Sequence, residues 1–211
     1  MPKPRLRPIM IQAAIKLFGQ SGYNGVTTRD VAKEVKAMES NVYRLFGSKG
    51  KMYHEALQTV VDRSVDELAY YWELTDPARI RSAAVQLNFL GVMLEAARSW
   101  YQSLSQSGAR MLQWALTSDS QNHDLARLPL QRFEAIVTRL LTAEAKKRRV
   151  KLDAQTRAEV LLMTLFQHKV TYSGPPNKEM EEVQRYFSDW LQSTFPKTKM
   201  NSVKAKPALK S

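Results

Sequence analysis

The residues best suited to recognition chemistry lie in one short stretch, 27–46, where polar side chains accompany a helical apolar pattern. This pattern predicts two short helices joined by a tight turn. Ala32 is small enough to let the two helices cross closely, while Val42 and Phe46 lie one helical turn apart and face inward. The stretch therefore has the pattern of a helix-turn-helix.

The second helix of this pair keeps Glu39, Asn41, Tyr43 and Arg44 on its outer face or flanking it. Such a helix can present polar side chains to the edges of bases, while the helix before it braces it across the nucleic-acid backbone. Each of these residues could also be an ordinary solvated surface residue, so their spacing alone leaves both interpretations open.

Other chemistries lack the residues they need. The chain has no cysteine, which excludes disulfides, thiolate metal sites and cysteine nucleophiles. The three histidines, His54, His123 and His168, do not have the spacing of metal ligands. There is no Gly-rich phosphate loop and no recognisable frame of paired catalytic carboxylates. We therefore expect a protein that is not an enzyme and that needs neither a metal nor a cofactor.

The charge of the chain is concentrated at its two ends. The formal net charge is +12 over 211 residues. Residues 1–52 contain ten Lys and Arg against three Asp and Glu, residues 53–196 are neutral overall, and residues 197–211 contain five lysines and no acid. A basic protein with a neutral middle is expected to face a polyanion with its ends. The last segment is predicted to be a disordered basic tail.

The pattern of apolar residues predicts an all-α protein. No segment approaches the roughly 20 apolar residues of a membrane span, so we expect no membrane association and a cytoplasmic location. Expected caps are Thr27 or Thr28, Ser48, Asp76, Asp153 and Asn177. The helices are predicted at about 8–20, 28–35, 39–46, 49–73, 78–104, 109–117, 125–148, 154–172 and 178–194.

A set of residues within 7–55 also follows the pattern of a known family. The set consists of Ile9, Met10, Ile11, Gln12, Ala13, Ala14, Ile15, Lys16, Leu17, Phe18, Gly22, Tyr23, Thr27, Thr28, Val31, Ala32, Tyr43, Phe46, Ser48, Lys49 and Met52. On these residues the chain resembles the TetR family of transcriptional regulators. The resemblance implies an N-terminal three-helix DNA-binding domain over 1–52, joined by a long fourth helix to a helical ligand-binding and dimerisation domain over 53–196.

The resemblance also implies which residues bind double-stranded DNA. Phosphate contacts would come from Thr27 or Thr28, from the Tyr43 hydroxyl and from Lys49. Base contacts would come from the outer face of the second helix of the pair, and Arg29 would reach either a phosphate or a base. The implied DNA-binding residues are Thr27, Thr28, Arg29, Glu39, Ser40, Asn41, Tyr43, Arg44 and Lys49.

The chain departs from the family pattern around the turn. Lys36 and Ala37 stand where glycine and a β-branched residue are usual, and Met38 replaces the usual serine cap. Either Lys36 adopts a left-handed conformation at a cost of about 1 kcal/mol, or the chain uses another turn here. Ser40 and Leu45 also differ from the usual residues, which affects the base contacts rather than the core pattern.

For the rest of the chain the resemblance implies a regulatory domain. Candidate effector-binding residues are Met93, Trp100, Tyr101, Trp114, Phe166, His168 and Tyr172, although for any one of them taken singly the sequence favours plain core. An apolar stripe with helical spacing lies at Val183, Phe187, Trp190 and Leu191, and the stretch 160–166 is also very apolar. The resemblance implies that these two C-terminal helices form the homodimer interface, as a four-helix packing with two helices from each chain.

The leading hypothesis is a dimeric, ligand-responsive repressor that binds a palindromic operator. The alternative is a DNA-binding protein of the same fold with no small-molecule effector, controlled by protein partners. A peripheral membrane protein that uses the basic tail is a third, weaker possibility.

Overall fold

In the computed structural model, which describes residues 6–82 and 88–195, all regular secondary structure is helical. The predicted fold class is thereby confirmed. The helices are α1 (Leu6–Ser21), α2 (Thr28–Glu34), α3 (Glu39–Phe46), α4 (Lys49–Glu67), α5 (Ala69–Leu74), α6 (Pro77–Ser82), α7 (Phe89–Ser103), α8 (Gln106–Ser118), α9 (His123–Arg148), α10 (Ala154–Thr171) and α11 (Pro176–Thr194).

The chain divides into two compact units. The first unit takes the described residues up to Val65 together with Leu104–Pro129, and the second takes Asp66–Ser103 together with the described residues from Leu130 onward. Helix α8 thus joins the amino-terminal helices. The division into functional domains at 1–52 and 53–196 stays a prediction, and the predicted tail lies outside the described residues. None of the helices described is both long and apolar enough to cross a membrane.

The core of the first unit forms where α1 packs against α2 and α8. Ile11, Ala14 and Phe18 are buried along one face of α1, as the helical spacing predicts. Gly19 allows the closest approach, because a Cβ at this position would overlap the backbone of Ser107. Val42 and Phe46 of α3 are also buried, so α3 is held by one face and leaves the other free.

Helix α2 ends in a Schellman motif. The backbone N–H of Ala37 donates to Ala32 O at 2.8 Å, and that of Lys36 donates to Lys33 O at 3.1 Å. The motif requires a left-handed residue at Lys36, whose φ is 54°. The sequence left two turns open, and the structure has the left-handed one, with a lysine where glycine is usual.

Several predicted helix boundaries are wrong. The helix expected over 49–73 is broken at Leu68, whose ψ of −7° departs from the α-helical value without disturbing the apolar spacing. The helix expected over 78–104 is interrupted, because Asn88 is not helical and its side chain caps α7 by accepting from the Gly91 N–H at 3.1 Å. A periodic apolar pattern continues across both breaks and therefore does not reveal them.

Two caps also differ from the prediction. Ser107 and Gly108 do not form a bend but lie inside α8, which Ser105 caps by accepting from the Gly108 N–H at 3.0 Å. Asn177 lies inside α11, where Pro175 occupies the cap position without a side-chain hydrogen bond. The caps predicted at Thr27, Asp76 and Asp153 are confirmed.

The strained turn predicts the effect of one substitution. Lys36→Gly should raise the free energy of unfolding by about 1 kcal/mol, because glycine adopts a left-handed conformation without a Cβ penalty. The control Lys33→Gly, inside α2, should lower it by about 0.5–1 kcal/mol. Urea unfolding followed by circular dichroism measures both, and a loss of stability in both variants would contradict the analysis.

Candidate nucleic-acid interface

A hydrogen-bond cluster joins the two helices of the helix-turn-helix. The buried hydroxyl of Thr28 donates to Glu39 Oε1 at 2.5 Å and lies 3.2 Å from the Tyr43 hydroxyl. The other oxygen of Glu39 lies 3.5 Å from the Arg29 guanidinium. A buried hydroxyl needs a partner, so Thr28 fixes the orientation of α3 relative to α2.

Thr27 begins α2 with a capping box. Its hydroxyl accepts from the Asp30 N–H at 3.1 Å, and the Asp30 carboxylate accepts from the Thr27 N–H at 2.8 Å. Hydrogen bonds from the Thr27 side chain and backbone lower the pKa of Asp30 below its usual value. The carboxylate therefore stays ionised and committed to the helix end.

The outer face of α3 presents a small group of polar side chains to solvent. Ser40, Tyr43 and Arg44 are exposed, and the Arg29 side chain, 83% exposed, extends beside them from α2. We call these four residues the recognition surface. Asn41 is only partly exposed and accepts a hydrogen bond from Arg44 Nη2 at 3.0 Å. Asn41 therefore orients Arg44 in this structure.

Lys49 lies at the first residue of α4, where its ammonium group is 4.2 Å from the centre of the Tyr23 ring. A cation over an aromatic face is held in place without losing its charge. The ring of Tyr23 packs in turn against Phe18 and Tyr53. Tyr23 was noted in the sequence only as part of the family pattern, and its role in positioning Lys49 appears only when the turn after α1 meets the start of α4.

The negative charges near the recognition surface are compensated within the chain. Residues 1–52 contain three carboxylates, and Asp30 is in the capping box, Glu34 is 2.6 Å from Lys16 Nζ, and Glu39 is bound by Thr28 and Arg29. The surrounding cations Lys33, Lys36 and Lys51 are exposed. The surface of this unit therefore keeps a positive potential suited to a polyanion.

The structure brings most of the predicted DNA-binding residues to α2, α3 and the start of α4. Thr28 and Glu39 differ from the others, because their polar atoms bind each other and hold the two helices together. Met38 is 73% exposed at the cap of α3 and makes no side-chain capping bond. Its exposure was not foreseen, since the sequence identified Met38 only as a departure from the usual serine.

In the second unit a polar network gathers three of the seven candidate effector residues. The Tyr101 hydroxyl donates to Glu179 Oε1 at 2.9 Å and lies 2.6 Å from His168 Nδ1. The Lys169 ammonium donates to the same Glu179 oxygen at 3.0 Å and lies over the Tyr101 ring. The ring of Tyr172 contacts that of His168. Tyr101, His168 and Tyr172 therefore form one cluster.

Burial and the Glu179 carboxylate raise the pKa of Tyr101, so its hydroxyl keeps its proton and donates it to Glu179. His168 lies between this hydroxyl and Glu182, with Nδ1 2.6 Å from the Tyr101 oxygen and Nε2 3.2 Å from Glu182 Oε2. The two ring nitrogens of His168 therefore connect α7 to α11.

The other four candidate effector residues are separate from this cluster. Met93, Trp100 and Phe166 are buried in the second unit, and Trp100 stacks on Phe133 with ring centroids 4.6 Å apart. Trp114 belongs to the first unit and is 45% exposed. The seven residues therefore do not form one group, and an effector role for any of them stays a prediction.

The residues predicted to form the dimer interface are buried within their own chain. Val183, Phe187, Trp190 and Leu191 are at most 8% exposed, and the indole N–H of Trp190 donates to Arg157 O at 3.1 Å. These side chains pack within the second unit, and their part in a homodimer interface stays a prediction. The sequence showed an apolar stripe on α11 but not that α10 covers it.

Comparisons with known proteins agree with this geometry. Residues 10–56 match the family model described as bacterial regulatory proteins of the tetR family. Over 53 residues the chain is 36% identical to IcaR of Staphylococcus aureus strain Newman, named a negative transcriptional regulator of the biofilm operon icaADBC. This match covers 25% of the chain and 28% of that relative, so the chain spans little more than a quarter of the curated relative's length.

Solved structures extend the likeness beyond the amino-terminal helices. The ketosteroid transcriptional regulator KstR2 of Mycobacterium tuberculosis superposes with a TM-score of 0.69 at 16% identity, covering 90% of this chain and 94% of that one. The TetR family regulator PfmR of Thermus thermophilus gives 0.66 at 17% identity, covering 90% and 97%. At these identities the likeness is one of fold.

The polar network predicts a large cost for removing its buried cation. Lys169→Met leaves Glu179 without its ionic partner and should lower the free energy of unfolding by about 2–3 kcal/mol. The control Lys16→Met breaks the exposed pair with Glu34 and should cost less than about 1 kcal/mol. Urea unfolding measures both, and equal losses would show that the network contributes no more than a surface ion pair.

Proposed function

We propose that this chain is a transcriptional repressor of the TetR family that binds a palindromic operator as a homodimer; the family match of residues 10–56 and the shared fold support this proposal. The recognition surface carries this proposal. It combines a hydroxyl, a phenol and a guanidinium on the free face of α3 with a second guanidinium from α2, and these groups suit base edges and phosphates. The name of the relative IcaR, a negative regulator, supports repression rather than activation.

We assign each residue a contact with bases, a contact with phosphates or a supporting role from its position in the structure. Arg44 has a planar guanidinium on the exposed face of α3, which suits the O6 and N7 edge of guanine. Tyr43 and Lys49 are assigned to phosphates, as is the exposed Arg29 side chain. Thr28 and Glu39 have a supporting role, because their mutual hydrogen bond sets the angle at which α3 enters the major groove.

The homodimer is proposed to form through the outer face of α10. Thr156, Val160, Met163 and Gln167 lie along one exposed, uncharged stripe, with Val160 49% and Met163 57% exposed. The outer face of α11 is unsuited to this role, because it carries exposed charged side chains that include Lys178, Glu181, Arg185 and Asp189. Interfaces between copies favour apolar and uncharged residues at their centres.

A small-molecule effector in the second unit is supported by one unsatisfied group. Trp100 is fully buried, and its indole Nε1–H has no hydrogen-bond partner among the described residues. An orphaned buried donor costs about 1–3 kcal/mol, and an effector with an acceptor atom would recover that cost. Trp100 is one of the residues predicted to bind an effector, and no observation favours control by protein partners instead.

The proposed mechanism is a shift between two populations of the dimer. An effector that binds the second unit would favour a spacing of the two recognition surfaces that does not match successive major grooves. Helix α4 is the proposed connection, because it begins with Lys49 in the first unit and its last residues belong to the second.

The proposal predicts different roles for Arg44 and Lys49. Selection of bound DNA from a random pool should yield a palindrome. On that operator, Arg44→Ala should cost about 1–3 kcal/mol per half-site and relax the preference at one position, with a smaller effect on scrambled DNA. Lys49→Ala should weaken both DNAs alike and flatten the slope of log affinity against log salt by about 2, since a dimer loses two phosphate contacts.

Affinity measured against salt concentration on operator and scrambled DNA separates these roles. Equal losses on both DNAs for Arg44→Ala would make Arg44 a phosphate contact and leave Ser40 and Asn41 to contact bases. Selected sequences without two-fold symmetry would contradict the homodimeric operator complex.

The proposed interface predicts which apolar residue controls the oligomeric state. Met163→Glu introduces two facing charges at the centre of the α10 stripe and should convert the dimer to a folded monomer. The matched control Leu128→Glu changes another exposed apolar residue, in the first unit, and should leave the dimer intact. Light scattering gives the mass of each, and a dimeric Met163→Glu protein would place the interface elsewhere.

A further inference from the structure

Met38 is the most exposed large apolar side chain among the described residues, and it lies where α3 begins. It is 73% exposed, whereas the next two, Met163 and Tyr70, are 57% and 56% exposed. The four residues of the recognition surface are all polar or charged, so Met38 adds a chemistry that they lack. A complex that covers this side chain gains free energy, because apolar area leaves water.

Helix stability favours a polar residue at the position that Met38 occupies. Met38 is the N-cap of α3 and makes no side-chain hydrogen bond there. The corresponding residues of α2, α8 and α10 are Thr27, Ser105 and Asp153, and each accepts a hydrogen bond from a backbone N–H of the first turn. Serine, threonine, aspartate and asparagine stabilise the start of a helix in this way. Neither the core nor the cap of α3 therefore uses the side chain of Met38.

The backbone of Met38 is fixed although its side chain is free. Its φ and ψ are −80° and 146°, and its carbonyl oxygen accepts from the Asn41 N–H at 3.0 Å. The turn before it is closed by the bond from the Ala37 N–H to Ala32 O. The side chain thus starts from a defined point at the amino-terminal end of α3. A methionine is unbranched and polarisable, so from that point it can fit its end group against an apolar partner.

The neighbouring residues leave two exposed side chains at this end of α3. Glu39 is directed toward α2, because its carboxylate is bound by Thr28 and lies 3.5 Å from Arg29. Met38 and Ser40 are exposed on either side of it in the sequence. In a helix-turn-helix the amino-terminal residues of the second helix contact base edges in the major groove. Met38 and Ser40 are therefore in the part of α3 that is expected to contact bases.

The major groove offers an apolar side chain one kind of partner. Guanine, cytosine and adenine present hydrogen-bonding groups there, whereas thymine also presents its C5-methyl group. An apolar side chain placed against the other bases displaces water from polar groups without replacing its hydrogen bonds, which is costly. Contact with the methyl group carries no such cost, so an apolar side chain in this groove favours thymine.

We propose that Met38 contacts the C5-methyl group of a thymine in each half-site and thereby selects a T·A pair at that position. This inference rests on the proposed operator binding and adds a specificity-determining residue to it. Its chemistry differs from that of Arg44, which is assigned to a guanine edge, so the two residues select different positions. In a homodimer the contact is made twice, once in each half-site.

Replacement of thymine by deoxyuridine tests the contact, because deoxyuridine lacks only the C5-methyl group and keeps every hydrogen-bonding atom. In the operator selected from a random pool, each symmetry-related pair of thymines is replaced in turn. Fluorescence anisotropy then measures the affinity of the full chain for each DNA. At one pair the replacement should weaken binding about four- to fifteenfold, since one buried methyl group accounts for about fourfold and the dimer loses two.

Variants of Met38 show whether this side chain causes the difference. Met38→Ala should bind the thymine and deoxyuridine operators with equal affinity, whereas Met38→Leu, which stays apolar, should keep most of the preference. Met38→Ser supplies the missing cap, so it should unfold at a higher urea concentration and still lose the preference. Loss of the preference in a more stable protein cannot result from unfolding of α3.

Two control variants separate this contact from other effects. Ile9→Ala removes another exposed apolar side chain of the first unit, on α1, and should leave the preference for thymine over deoxyuridine unchanged. Arg44→Ala removes a different base contact and should also leave that preference unchanged, although it weakens binding to the operator.

The possible outcomes distinguish this inference from the proposed function. A preference for thymine that persists in Met38→Ala, an operator whose thymines can all be replaced without loss, or half-sites that contain no T·A pair would each overturn the inference and leave the operator proposal standing. Absence of sequence-specific binding would overturn the proposed function and the inference with it. A preference at one position that disappears in Met38→Ala and Met38→Ser would support the contact.

Discussion

The hydrogen bond from Thr28 to Glu39, 2.5 Å long, is the interaction on which the helix-turn-helix and its proposed DNA-binding surface depend. The bond satisfies the buried hydroxyl of Thr28 and connects α2 to α3 in addition to their apolar contact. It also gives a hydrogen-bond partner to Glu39, the one acidic residue of α3. With Glu39 held by Thr28 and Arg29, the free face of α3 presents Ser40, Tyr43 and Arg44. The same bond thus sets both the geometry and the electrostatics of the recognition surface.

In the second unit, too, the buried polar and charged side chains pair with one another. Lys169, Glu179, Tyr101, His168 and Glu182 satisfy one another in a single network, which makes a buried lysine tolerable. Against this background, a buried group without a partner is informative. The Trp100 indole N–H is such a group among the described residues, and it supports the proposed effector because native interiors rarely leave a donor unsatisfied.

The apolar residues of the last two helices serve two different purposes. On α11 they fill the core of the second unit, and its outer face is charged. On α10 the buried residues Leu161 and Leu165 face inward, while Val160 and Met163 remain exposed on an uncharged stripe. An apolar residue that no element of its own chain covers is the natural centre of a contact with another copy, and this is why α10 rather than α11 carries the proposed interface.

The sequence by itself determined the all-helical fold, the bounds of α2 and α3 and the inward direction of Val42 and Phe46, because helical periodicity and capping are local. It also identified the polar residues of α3 from their spacing. Only the tertiary structure decided that Thr28 binds Glu39, that Tyr23 holds Lys49 and that Trp190 is core. These depend on which helix covers which face. An apolar stripe has the same pattern whether its cover comes from its own chain or from another, so periodicity could not distinguish the two.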